Sequence, residues 1–170
     1  VGIDRLIHMV QQLLILSRLD AQQEESKTIL NLNTLCNEII LEMNQNPDLP
    51  KHEVRLTALL SLELSANETS LRVLLRNLLD NACRYANENT VVEVSINKSK
   101  ISILNQCPTL DNEQLSLLFD RFKRGTINNQ QGSGLGLSIC QQICQLSDFK
   151  LSLNNRQDGV EGVSSEVQYN

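Results

Sequence analysis

Residues 68–85 constrain this chain more than any other stretch. Leu71, Leu74, Leu75, Leu78, Leu79 and Ala82 recur at three- and four-residue intervals, which predicts an amphipathic helix from about Glu68 to Tyr85. A leucine stripe that wide must be buried against a second layer. Burying it also fixes what the helix shows elsewhere. Asn77, Asn81, Arg84 and Tyr85 are spaced four, three and one apart, so two amides and a guanidinium share one face with the ring beside it. Such a set can coordinate a divalent cation, meet phosphate and pack a base. The plain alternative is a solvated helix face.

The rest of the chain interleaves helices and strands without a strict βαβ alternation. Residues 1–25 read as one helix, with Ile3, Leu6, Ile7, Val10, Leu13 and Leu14 at helical spacing. The polar run 21–26 has no apolar period and marks a boundary, so a compact domain is expected over 27–170. Strands are predicted near 29–32, 53–60 and 62–64. A helix over 35–44 is expected to be capped by Asn33 or Thr34 and ended by Asn46-Pro47. Ser65-Ala66-Asn67-Glu68 has capping-box spacing ahead of the long helix. Residues 90–97 and 100–105 form an expected hairpin around Asn97-Lys98-Ser99. A short helix from Asp111 through Phe119, a helix over 133–146, and strands over 149–154 and 162–168 joined through Asp158-Gly159 complete the pattern. These elements predict an α/β (α+β) fold: a two-layer α/β sandwich with a mixed sheet covered by helices on one face.

Two further segments carry chemistry. Gly132-Ser133-Gly134-Leu135-Gly136-Leu137 opens a helix, where backbone N–H groups and the helix dipole favour an anion. No Lys-Ser/Thr follows, so it is not a Walker A loop, and no clear strand precedes it as a Rossmann fingerprint requires. Ahead of it stands Leu118-Phe119-Asp120-Arg121-Phe122-Lys123-Arg124-Gly125, whose two rings could anchor a hinge while the cations point outward. A flexible glycine-rich loop and a helix end with core phenylalanines are the plain alternatives.

Composition excludes several classes. Net charge is −5, and aromatics make up 3% of residues with no Trp, so neither a basic nucleic-acid footprint nor a base-stacking platform is expected. The five cysteines, Cys36, Cys83, Cys107, Cys140 and Cys144, are odd in number and include no CxxC, so buried small hydrophobes are expected rather than a disulfide framework or metal site. That usage fits the cytoplasm. No apolar run reaches the ~20 residues that span a bilayer. The helical pattern begins at Val1, and the chain is expected to be part of a longer protein.

The three chemical segments, in this order and spacing, resemble the asparagine, phenylalanine and second glycine boxes of the ATP-binding domain of bacterial sensor histidine kinases. Residues 2–20 also resemble the second helix of the kinase dimerisation domain, so the likeness covers nearly the whole chain. The resemblance implies a Bergerat (GHKL) sandwich that binds ATP and Mg²⁺. It implies Asn81 as the main Mg²⁺ ligand, supported by Asn77, with Arg84 on phosphate and Tyr85 beside the nucleotide. Gly132, Gly134 and Gly136, with Leu135 and Leu137 among them, would hold the phosphates. Phe119 and Phe122 would anchor a lid that carries Lys123 and brings Arg124 to the γ-phosphate. The implied activity is histidine protein kinase in a two-component phosphorelay. The implied partners are the protein's own dimerisation domain and a cognate response regulator, in the cytoplasmic part of an inner-membrane sensor.

Two departures from the family pattern stand out. Its first glycine box reads Asp-x-Gly-x-Gly, whereas the matching positions here are Asn105, Gln106, Cys107, Pro108 and Thr109. The family's Asp accepts from the adenine amino group. Asn105 keeps a carbonyl acceptor without the charge, which implies weaker ATP binding and, with Cys107 and Thr109 crowding the base, a narrowed or less selective pocket. Second, neither His8 nor His52 stands in the phosphoacceptor motif, a His and an acidic residue followed by Leu-Arg-x-Pro. No catalytic residue is therefore assigned within the chain, which is not expected to phosphorylate itself. A related ATPase of the chaperone, gyrase or MutL kind would carry Glu where Asn77 stands. A catalytically weakened nucleotide-sensing or interaction module is the other alternative. The apolar stripe over residues 1–20 is expected to seek a partner, including a second copy of the chain. Sedimentation should therefore show a chain starting at Lys27 to be smaller in assembly state than the full chain; an unchanged distribution would reject this.

Overall fold

A computed structural model describes residues 27–47, 51–58, 61–119 and 135–169. The expected helix over 1–25, the hinge from Asp120 onward and the glycines at 132 and 134 lie outside the described residues. Strand β1 (Thr28–Asn31) pairs antiparallel with β3 (Glu63–Ala66) as a small separate ribbon. The main sheet has five strands in the order β2 (Val54–Ala58), β4 (Val92–Ile96), β5 (Lys100–Asn105), β7 (Val163–Gln168), β6 (Lys150–Asn155). β2 and β4 run parallel and every other pair is antiparallel, giving the mixed sheet.

One sheet face is apolar and the other polar, as strand alternation requires. Val92, Val94, Ile96, Ile101, Ile103 and Val167 are buried beneath a layer formed by helices α1 (Leu32–Gln45), α2 (Glu68–Tyr85) and α4 (Gly136–Leu146). The opposite face carries ion pairs: Lys100 to Glu166 at 2.7 Å, and Arg156 to Glu93 at 3.0 Å. Leu71, Leu74, Leu75, Leu78, Leu79 and Ala82 of α2 are all buried in the core, which joins the three helices and the sheet. Arg72 and Arg76 of α2 also reach Glu38 and Glu42 of α1, at 2.6 to 3.1 Å, across a half-exposed surface. Such pairs contribute only about 0.2–1 kcal/mol each, so burial of the leucines, not charge, holds the layer.

The two helix starts depart from expectation in the same way. α1 begins earlier than expected, capped by Asn31, whose Oδ1 accepts from Thr34 N at 3.0 Å. α2 is capped by Asn67, whose Oδ1 accepts from Ser70 N at 2.8 Å. Ser65 lies within β3 opposite Ile29 and plays no capping role. In both cases the strand runs almost directly into the helix, and the asparagine at the junction has the short acceptor that reaches the third residue on. The short helix α3 (Asn112–Leu117) keeps the predicted Asp111 start, with a full capping box to Gln114, and ends two residues early. Gly159 turns the β6–β7 connection at φ +83°. His52 is half-buried, its Nδ1 lying 3.1 Å from Thr90 O, which joins the approaches to β2 and β4.

All five cysteines are free and buried. Burial raises the thiols of Cys36 and Cys144 to about 12 and that of Cys83 to about 11, so they stay protonated and inert at neutral pH. Asn67→Ala should cost about 1 kcal/mol of stability, seen as a lower urea midpoint with an unchanged slope.

Candidate functional site

The azimuth of α2 is set by its leucine stripe, and the amide face follows from it. Asn77, Asn81 and Arg84 are all half-buried along one side, and Tyr85, 39% exposed, stands at the end of the helix. Asn77 is oriented by its own helix: Nδ2 donates to Val73 O at 2.9 Å. Its Oδ1 lies against the first turn of α4, where a Cβ on Gly136 would come within 3.1 Å of it. Glycine at 136 thus permits close approach of the α4 N-terminus to the α2 amides. The preceding Leu135 caps α4 without a side-chain acceptor and has its own side chain fully buried. Leu137 packs partly against the core. These two predicted binding residues can therefore offer a ligand mainly their backbone.

Arg84 is held by a residue not singled out in the sequence. Its Nε donates to Asp80 Oδ2 at 2.9 Å, and both side chains are about three-quarters covered. The i,i+4 Asp-to-Arg spacing was the available signal. Burial pushes the Tyr85 phenol up; Arg84 opposes that shift and Asp80 adds to it, as expected for a ring lying near both charges.

The second part of the site is the end of β5 and the loop after it. Asn105 lies on the same side of β5 as Ile101 and Ile103 and faces the helix layer. It is only 4% exposed, and its buried Nδ2 has the Cys107 sulfur, a weak acceptor, as its neighbour among the described residues. The loop is fixed from both sides. Asn87 N, just past α2, donates to Gln106 O at 2.7 Å. Asn155, at the end of β6, holds Leu110 through both its backbone groups, at 3.0 and 2.7 Å. Cys107 turns into a small cluster with Leu110 and Val163, while Thr109 is exposed. Burial raises the Cys107 thiol, opposed by the Asn105 amide and the Val163 backbone. Gly162 is demanded by close approach, because a Cβ there would fall 2.0 Å from Asn105 O.

Two places on α2 and β5 thus face the same helix–sheet layer: an amide and guanidinium row beside a helix N-terminus, and a buried amide at a strand end. Phe119 is half-buried in the turn after α3. Phe122, Lys123, Arg124, Gly132 and Gly134 lie outside the described residues. Among the described residues, no helix is long and apolar enough to cross a membrane.

Residues 66–168 match the family described as histidine kinase-, DNA gyrase B-, and HSP90-like ATPase. The chain belongs to that family. Its catalytic domain is of the sensor histidine kinase type. It is 34% identical to the sensor protein QseC of Escherichia coli (strain K12) over 170 residues, covering 99% of this chain and 37% of that protein. It is 28% identical to the sensor protein kinase PmrB of Pseudomonas aeruginosa, covering 98% of this chain and 35% of that protein. The chain therefore spans little more than a third of these relatives. Among solved structures it resembles the cytoplasmic segment of histidine kinase QseC, with a TM-score of 0.67 and 28% identity over 100% of this chain and 95% of that one. It also resembles the catalytic domain of histidine kinase ThkA, with a TM-score of 0.71 and 25% identity over 85% and 95%. The expected α/β sandwich with a mixed sheet is the fold of these catalytic domains, and the domain binds ATP as its family does.

Gly162→Ala should destabilise the domain by about 1–3 kcal/mol, since its Cβ would meet a backbone oxygen that cannot swing aside. Equilibrium denaturation reads the effect.

Proposed function

We propose that the chain holds Mg-ATP and positions its γ-phosphoryl group for transfer to a histidine on a dimerisation domain, as part of a two-component sensor histidine kinase. The observation that carries this reading is the Asn77–Asn81–Arg84 row of α2, whose Asn77 lies against the first turn of α4 at Gly136. Asn81 and Asn77 offer neutral amide oxygens, ligands that suit a hard cation still holding waters and phosphates. The magnesium ion would supply charge neutralisation at the phosphates. Arg84, steadied by Asp80, adds a cation on the same helix face. The first turn of α4 adds backbone donors and the positive end of its dipole. Phosphoryl transfer needs little more from a protein than such positioning and charge.

The remaining roles follow the family pattern. Tyr85 packs beside the nucleotide, Asn105 and Cys107 border the base, and Phe119 and Phe122 anchor a lid that brings Lys123 and Arg124 over the phosphates closed by Gly132 and Gly134. The compact domain is 27–170, and residues 1–25 belong to the dimerisation element, through which a second copy could pair. A response regulator receives the phosphoryl group from the complete protein, in the cytoplasmic part of an inner-membrane sensor. The chain's two histidines, His8 and His52, lie outside the acceptor motif, so the chain works on a histidine supplied by its partner segment.

The loss of glycines at Cys107 and Thr109 supports a second reading, a nucleotide-sensing module with weakened catalysis. Supplying an isolated dimerisation domain in trans separates the two. Label on its histidine supports the kinase, and nucleotide binding with no transfer supports the sensor. In calorimetric titration, Asn81→Ala should weaken Mg-ATP binding at least about tenfold, and chelating the metal should weaken wild type by a similar factor while leaving the variant nearly unchanged. Equal metal dependence in both proteins would exclude Asn81 as a ligand.

A further inference from the structure

Three arginines of α2 are held by carboxylates, and one of them is held differently. Arg72 and Arg76 reach Glu38 and Glu42 and so tie α2 to α1. Arg84 is tied one turn back on its own helix: its Nε donates to Asp80 Oδ2 at 2.9 Å, with both side chains about three-quarters covered. That tie joins no second element. An i,i+4 pair adds little to a helix, and a cation in the last turn already suits the helix dipole without a carboxylate beside it. What the tie fixes is the guanidinium itself. A long, flexible side chain is gripped at Nε, and its planar group takes its orientation from the carboxylate. The carboxylate is in turn held in place, because its other oxygen, Oδ1, is fully covered. The Tyr85 phenol feels both charges, which sets the pair beside the ring at the end of the amide row.

We infer that Asp80 is a positioning residue for the anionic part of the ligand: it orders Arg84 in advance for phosphate and touches no ligand itself. This rests on the nucleotide reading above. The carboxylate has two opposing effects. Its hydrogen bond removes rotamer freedom that Arg84 would otherwise lose on meeting phosphate, which favours binding. Its charge offsets that of Arg84 and repels phosphate, which opposes binding. Salt screens the second effect and not the first, so ordering prevails at about 0.15 M salt. Substitution separates the two, because asparagine at position 80 keeps an acceptor for Nε and loses the charge.

The test is calorimetric titration of the full chain with Mg-ATP at about 0.15 M salt. Wild type is compared with Asp80→Ala, Asp80→Asn, Arg84→Ala and the double variant Asp80→Ala/Arg84→Ala. Asp80→Ala should weaken binding about three- to tenfold. Asp80→Asn should bind at least as tightly as wild type, and removing Asp80 from Arg84→Ala should cost nothing further. A carboxylate needed only for structure would not give that pattern, since its loss would weaken binding with or without Arg84. Alanine suits a helix interior, so the variant should fold; should its urea midpoint collapse, Asp80→Ser takes its place. Loss of less than about twofold in Asp80→Ala overturns the inference. So does an equal loss in Asp80→Asn, an equal loss in the Arg84→Ala background, or an Arg84→Ala variant that binds like wild type. A wild-type chain that binds no Mg-ATP defeats the nucleotide reading itself, whereas a loss independent of Arg84 defeats only the role of Asp80.

Discussion

Everything in this domain turns on the burial of one helix face. The leucines of α2 lie between the sheet and the flanking helices, and each is worth about 1.5–3 kcal/mol when removed from water. That burial fixes the helix about its own axis. Asn77, Asn81 and Arg84 are then carried to a single edge without further instruction. That row inherits its rigidity from the core, the condition a site needs if its groups are to meet a ligand without reorganising.

Two glycines extend this logic from the helix to its surroundings. Gly136 lets α4 come up to the Asn77 carbonyl, so that a helix N-terminus and an amide row share one edge. Gly162 lets β7 close on the backbone of Asn105 and so sets the level at which the second amide sits. Asn155 then does for the β5–α3 loop what a run of glycines could not, because it binds both backbone groups of Leu110 and leaves that loop a defined shape. The replacement of glycine by Cys107 is accommodated by the same arrangement: its side chain fills a small apolar cluster with Leu110 and Val163.

The long helix, the hairpin and the polar-outside alternation of the strands were legible in the sequence because periodicity reports burial directly. The cap positions were less so. Asn31 and Asn67 lie at strand–helix junctions with several competing polar neighbours, and only the backbone turn decides which oxygen reaches the helix. The Asp80–Arg84 pair was readable from its spacing but not from any apolar pattern. What no sequence pattern could give was tertiary: the burial of the Asn105 amide, the Asn155 clamp 45 residues from Leu110, and the close approaches at 136 and 162. His52 stands in an irregular stretch before β2, and no local pattern announces its contact with the Thr90 carbonyl.

The proposed site joins the amide row of α2, the start of α4 and the end of β5. Nuclear magnetic resonance of the labelled chain, titrated with Mg-ATP, tests it most directly. The amide resonances of Asn77, Asn81, Arg84, Asn105 and Gly136 should shift together along one saturation curve. Saturable binding that leaves those five signals in place, while others move, would contradict it.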